Sequence, residues 1–211
     1  MTINKNQIAY NRTKRSQKPQ YIVLHDTGNP GKGANADAHF NYFNGGDRQS
    51  SADFFVDSTQ VLQVNDYNTY YTWHCGDGKG KYDITNSNSI GIEICVNPES
   101  NYDMAFQNTV SLVKHLMSEL SIPIERVVRH YDASRKNCPA SMSANGWALW
   151  NTFKTQLAVN SELTSINDIT WELAHRGIIS DSDLWLKKLE QDSNAYWLAR
   201  KTVKFLQSKG V

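Results

Sequence analysis

Hydrophobic and polar positions divide the 211-residue chain into two patterns. Up to about residue 158, apolar runs of strand length alternate with helix-length stripes; after 165 only helical stripes recur. Tyr21-Ile22-Val23-Leu24 is a continuous apolar run, as expected of a strand buried on both faces. Residues 53–57 and 60–64 predict a hairpin around Ser58-Thr59. Residues 89–96 predict a third strand, with Ile90, Ile92, Ile94 and Val96 on one face and Gly91, Glu93 and Cys95 on the other. Residues 125–129 predict a fourth. Helices are predicted over about 34–43, which Gly45-Gly46 stop, and over 102–120, where Phe106, Val110, Val113, Met117 and Leu120 recur at three- and four-residue spacing. Another is predicted over 144–158, with Trp147, Trp150, Phe153 and Leu157 on a stripe. Residues 1–20 are polar and basic and read as an arm.

This alternation predicts an α/β fold over 1–158, a central mixed β-sheet flanked by helices. Residues 159–165 are polar and unpatterned and read as a linker. Helical patterns over about 167–176, 181–191 and 194–209 then predict a small three-helix module within 166–211. Its core would draw on Trp171, Leu184, Trp185, Leu189, Trp197, Leu198 and Phe205. So short a unit buries little surface, which predicts that it leans on the first domain or on a partner chain.

Composition narrows the function. With 39% hydrophobic and 20% charged residues the chain suits a globular core, not disorder. A net charge of +1 and no lysine-rich tract give no reason to expect nucleic acid as a partner. Six Trp and ten Tyr suit either core packing or a groove for sugar or peptide. The N-terminus has no apolar signal core, and no run reaches the ~18 apolar residues of a membrane span. The expectation is therefore no signal-peptide export, no membrane insertion and synthesis in the cytoplasm. Cys75, Cys95 and Cys138 are an odd number at no framework spacing, which argues against a disulfide scaffold and leaves a thiolate free for metal.

His25 and His130 each close an apolar run, and Cys138 follows eight residues after His130. If the two strands are neighbours, both imidazoles project from one sheet edge. Two His and one Cys would then hold zinc with a fourth position open to water, the mark of a catalytic site. The competing reading is two histidines bonded to backbone beside an inert thiol. Glu93 lies on the non-isoleucine face of its strand, where a carboxylate beside activated water acts as general base; its alternative is a surface ion pair. Lys136, two residues before Cys138, suits an oxyanion-stabilising cation, against the alternative of a solvated loop lysine.

Several separated stretches then carry a resemblance. They are Tyr21-Ile22-Val23-Leu24-His25-Asp26-Thr27-Gly28-Asn29, Asn35-Ala36-Asp37-Ala38-His39-Phe40-Asn41-Tyr42-Phe43, Trp73-His74-Cys75-Gly76, Asn88-Ser89-Ile90-Gly91-Ile92-Glu93-Ile94-Cys95, and Arg129-His130-Tyr131-Asp132 with Lys136-Asn137-Cys138-Pro139. In this order, over residues 20–157, the chain resembles the zinc-dependent N-acetylmuramoyl-L-alanine amidases, phage and bacterial cell-wall lysins related to peptidoglycan recognition proteins. The resemblance implies Zn2+ held by His25, His130 and Cys138, with Glu93 as base and Lys136 at the carbonyl oxygen. It implies hydrolysis of the amide between N-acetylmuramic acid and the L-alanine of the stem peptide, with peptidoglycan as partner and the cell wall as place of action after release. His74, Trp73 and Asn29 are expected to line the substrate groove. Cys75 stands where relatives often have alanine and reads as a filler, while His39, on its short helix, points to groove or solvent.

The competing class is a recognition module that binds peptidoglycan without cutting it. Such relatives lose the zinc cysteine, and Cys138 is present. Residues 166–211 loosely resemble helical modules appended to lysins and are expected to bind cell wall or to form a homodimer. Their charges nearly balance, so attraction to an acidic polymer is not what would hold them there.

Overall fold

The structure is a computed structural model that describes residues 2–158 and 166–208; the predicted linker lies outside the described residues. The chain divides into two compact units, residues 2–158 and the C-terminal helices.

The first unit is built on a six-stranded mixed sheet. In chain order its strands are β1 (Ile3–Lys5), β3 (Tyr21–Asp26), β4 (Phe54–Val56), β5 (Val61–Gln63), β7 (Ser89–Ile94) and β8 (Val127–Arg129), and in space they run β1-β5-β4-β7-β3-β8. A separate antiparallel pair joins β2 (Arg12–Lys14) to β6 (Tyr70–Thr72). The hairpin β4–β5 forms where predicted, with Asp57 N–H donating to Gln60 O across the turn. The arm is not featureless: β1 adds to the sheet edge by pairing in parallel with β5, and β2 pairs with β6. Three-residue strands of polar composition carry no alternation for a sequence reading to find; here backbone pairing, not a buried face, makes the strand.

One face of the sheet carries the main core. Ile22, Leu24, Phe54, Val56, Ile90, Ile92 and Ile94 pack against helices α2 (Tyr102–Leu120) and α4 (Ala144–Ala158). Helix α2 starts at Asn101, whose side chain accepts the Met104 N–H, and stops at Ser121 in the left-handed conformation just before Pro123. The buried side of α2 is wider than the predicted stripe and includes Ala105, Thr109, Leu112 and Leu116. In α4, Trp150, Phe153 and Leu157 are buried, while residues 145–147 have positive φ and kink the helix's first turn. Burying one such aromatic is worth roughly 1.5–3 kcal/mol.

The other face is where chemistry collects. Helix α1 (Ala36–Asn44) lays Phe40 and Phe43 over Phe55, Leu62 and Cys95. Farther along, Val23 packs with Cys75, Ile84 and Ala133. Asp53 is fully buried there, accepting from Gly91 N–H (2.8 Å), the Thr72 hydroxyl (2.8 Å) and the Asn65 amide (2.7 Å). Such a carboxylate is tolerable only because every donor around it is used.

The second unit consists of α5 (Ile166–His175), α6 (Ser182–Gln191) and α7 (Ser193–Ser208). Its core is Ile169, Leu173, Ile179, Leu189, Ala199 and Val203. That corrects the expected core. Of the seven side chains named for it, only Leu189 is fully buried and Trp185 partly so. Trp197, Leu198 and Phe205 are 57%, 62% and 60% exposed. Three helices enclose little volume, and aliphatic side chains fill it, with Trp185 and Tyr196 only partly buried against them.

Candidate active site and metal centre

Three parallel strands end side by side at one edge of the sheet. β3 pairs in parallel with β7 and with β8, placing His25 opposite Glu93 and Leu24 opposite Arg129. The residue after Arg129 is His130, the first of helix α3 (His130–Ser134), so the two histidines stand at adjacent strand ends with ring centroids 4.5 Å apart. Carboxyl ends of parallel strands are where such sheets gather ligands.

The chain after α3 folds back on itself: Tyr131 N–H donates to Cys138 O at 2.9 Å and Cys138 N–H to Lys136 O at 2.8 Å. Asp26, the last residue of β3, accepts Ser141 N–H at 2.7 Å and ties the following turn to the same edge. Cys138 Sγ thereby lies 3.8 Å from His25 Nδ1. One donor atom each from His25, His130 and Cys138 lie within 4.8 Å of one another, and all three residues are buried. Two imidazoles and a thiol at this spread suit a borderline-soft cation such as zinc, and do not suit calcium or magnesium.

The electrostatics agree with that donor set. Burial, reinforced by His74, His130 and Lys136, pushes His25 well below the ordinary histidine range. Burial lowers His130 too, against the opposing Asp77 hydrogen bond. Both rings are thus neutral, with a lone pair to give. Burial, then Glu93, raises the Cys138 thiol to about 12, so the thiolate forms only with a cation beside it.

Glu93 Oε1 stands 4.0 Å from His25 Nδ1, and its Oε2 is buried without a hydrogen-bond partner among the described residues. Burial first, and Asp26 second, raise this carboxyl well above the usual carboxylate range, opposed by Lys136. A carboxylate so raised takes up a proton readily. Lys136 is exposed on its loop, and its charge acts on His25, Glu93, Asp77, His130 and Cys138 alike.

A cavity of about 420 Å³ opens beside Glu93, with Thr27, Asn29, His39, Tyr42 and Phe55 among its walls. His39 stacks on Phe55 with ring centroids 5.2 Å apart. Thr27 Oγ1, His39 Nε2 and Glu93 Oε2 are all buried there without a hydrogen-bond partner among the described residues. Three orphaned polar atoms around one aromatic-walled cavity are what a polar ligand would satisfy.

Of the three residues expected to line a groove, only Asn29 borders this cavity. Trp73 donates its indole N–H to Thr13 Oγ1 at 3.0 Å. His74 is buried and has both ring nitrogens engaged inside the protein, with His25 and with Ser89. Its place follows from Gly91: a Cβ there would come within 2.5 Å of the His74 ring. Asp77, whose Oδ1 is 2.7 Å from His130 Nε2, escaped sequence reading, because one acid in a Gly/Asp-rich loop has no period to mark it.

A buried His–His–Cys cluster at the carboxyl edge of an α/β sheet is a candidate metal centre, and the comparisons give the family that carries it. The N-acetylmuramoyl-L-alanine amidase family pattern (Amidase_2) matches residues 15–141, and the chain belongs to that family. It is 36% identical over 158 residues to N-acetylmuramoyl-L-alanine amidase XlyA of Bacillus subtilis (strain 168), covering 75% of this chain and 50% of XlyA. It is 37% identical over 145 residues to CwlH of the same organism, covering 68% of this chain and 54% of CwlH. The solved catalytic domain of XlyA superposes with a TM-score of 0.67, covering 74% of this chain and 99% of that one. The structure of PlyL does so with a TM-score of 0.64 at 32% identity, covering 74% and 97%. The chain spans about half the length of the curated relatives it matches.

Proposed function

We propose that this chain is a peptidoglycan hydrolase that cleaves the amide between N-acetylmuramic acid and the L-alanine of the stem peptide, as a phage-type lysin. The observation that carries the reading is the convergence of His25, His130 and Cys138 within 4.8 Å, with Glu93 4.0 Å from His25. Family membership supplies the bond.

In this reading His25, His130 and Cys138 hold a zinc ion. Zinc supplies a Lewis acid that makes water acidic near neutral pH and polarises a carbonyl oxygen. Glu93 accepts the proton of the attacking water and returns it to the leaving amine of L-alanine. Lys136 places an ammonium where negative charge develops on the carbonyl oxygen. The cavity beside Glu93 receives the substrate next to the cut, where Asn29 and the unpartnered Thr27 and His39 atoms meet its polar groups. Trp73 and His74 contribute from behind, through the loop they stiffen. Residues 1–158 are the catalytic domain and 166–211 a wall-binding or dimerising module. Among the described residues no helix is long and apolar enough to cross a membrane, and the substrate is reached in the wall after release.

The test is mass spectrometry of digested peptidoglycan. Free stem peptides beginning at L-alanine are expected. New reducing sugar ends in their place would identify a glycosidase, and binding without any product would leave a recognition module.

A further inference from the structure

The loop that carries His74 and Asp77 touches both histidines of the candidate metal centre. His25 Nε2 lies 3.0 Å from His74 Nδ1, and His74 Nε2 lies 3.1 Å from Ser89 Oγ. The direction of this chain is set at its far end. Ser89 Oγ makes a short contact with Thr85 O, a carbonyl that can only accept, so the Ser89 hydroxyl proton goes there. Ser89 must then accept from His74 Nε2–H. That leaves His74 Nδ1 as an acceptor, and it can only take the proton on His25 Nε2. His25 is thereby held as its Nε2–H tautomer, with the Nδ1 lone pair turned toward Cys138 Sγ, 3.8 Å away.

The same logic applies to the second ring. Asp77 Oδ1 accepts from His130 Nε2–H at 2.7 Å, leaving His130 Nδ1 as the free lone pair. Two imidazoles from two different strand ends are thus locked in the same tautomer by residues three positions apart in one loop.

The loop is itself fixed. His74 N–H and Cys75 N–H both donate to Asn86 Oδ1, at 3.0 and 2.8 Å. Gly91 leaves the floor open for the His74 ring, and a Cβ on Gly78 would lie 2.1 Å from Ala133 O in the helix that begins with His130. Loop and ligands are keyed together at glycine contacts that no other residue permits.

We propose that the 74–78 loop is the positioning element of the metal centre, with His74 holding His25 and Asp77 holding His130 so that both Nδ1 atoms present lone pairs to one zinc ion. The proposal rests on the zinc reading above. His74 and Asp77 are positioning residues that touch neither ion nor substrate; their effect passes through the tautomer and ring angle of their partners. Loss of such outer partners ordinarily weakens metal binding about 10–100-fold.

Two readouts test it without activity. Long-range 15N–1H NMR on the metal-free chain is expected to show His25 and His130 both protonated at Nε2. Chelator competition with zinc is expected to show affinity lowered about 10–100-fold in Asp77→Ala and in His74→Ala. His74→Gln, which still offers an acceptor, should recover part of the loss, and Gly91→Ala, which displaces the ring without changing it, should copy His74→Ala. Asp77 is 48% exposed, so its variant removes no core side chain, and circular dichroism and melting check that it is folded. Wild type that binds zinc through Cys138 while folded Asp77→Ala binds it as tightly would overturn the positioning role and leave the zinc reading standing. Nδ1–H signals for His25 or His130 in the wild type would also overturn it. Wild type that takes up no zinc would sink the zinc reading, and the positioning role with it.

Discussion

The two units of this chain put their large side chains to opposite uses. In residues 2–158 the sheet separates an apolar face, packed by Phe106, Trp150 and Phe153, from a face that carries His25, Glu93 and Asp53. In α5–α7 the core is Ile169, Leu173, Leu189 and Val203, while Trp197, Leu198 and Phe205 are exposed. A sheet is a barrier with two distinct sides, so a period-two pattern specifies what each side chain meets. A short amphipathic helix specifies only a stripe, and its rotation about its own axis is settled by neighbours. Hydrophobic identity therefore reads as burial along the sheet strands of the first unit and does so only for part of each stripe in the second.

The comparison can be broken most severely at the chemistry. If all of it lies in the first unit, Cys138→Ser should lose bound zinc and reduce wall lysis by at least about 10³-fold, read by metal analysis and turbidity. Retained lysis without zinc would end the metal reading. Glu93→Gln should lower kcat about 10²–10⁴-fold with zinc still bound. Near-full activity in that variant would remove Glu93 from its role.

Stability separates the units more gently. Phe153→Ala should cost about 3–5 kcal/mol, and activity should vanish at the temperature where the first unit melts. Leu189→Ala should cost about 2–5 kcal/mol in the second unit and leave kcat on a small soluble muramyl peptide unchanged. A drop in that kcat would show that the helices take part in catalysis. The smallest effect belongs to Trp197→Ala, within about 0.5 kcal/mol of wild type by thermal melting. A loss of several kcal/mol there would mean that Trp197 is a core residue after all.

Local patterns located nearly every long element. Residues 102–120 were legible as a helix because five apolar positions, Phe106, Val110, Val113, Met117 and Leu120, recur at helical spacing, with Pro123 as punctuation. The hairpin at 57–60 was legible from turn chemistry between two apolar runs. β1, β2 and β6 were not, because each is three residues long and owes its existence to a partner far away in sequence. His74 is the instructive case at the site. Its motif marked it for function, yet its location under β7 depends on Gly91 having no side chain, a contact between residues seventeen apart that no spacing rule encodes.

By itself the sequence determined the alternation of strands and helices, the histidines at the ends of apolar strands, and a cysteine, a glutamate and a lysine of the right chemistry nearby. These are properties of side-chain type and short-range period. Tertiary structure alone decided that β3 has β8 on one side and β7 on the other, which turns three separate strand ends into one edge. It also decided that one loop reaches both imidazoles, through His74 and Asp77. The physical reason is that strand order and hydrogen-bond direction are set by which surfaces can be buried together, and that is a property of the whole fold.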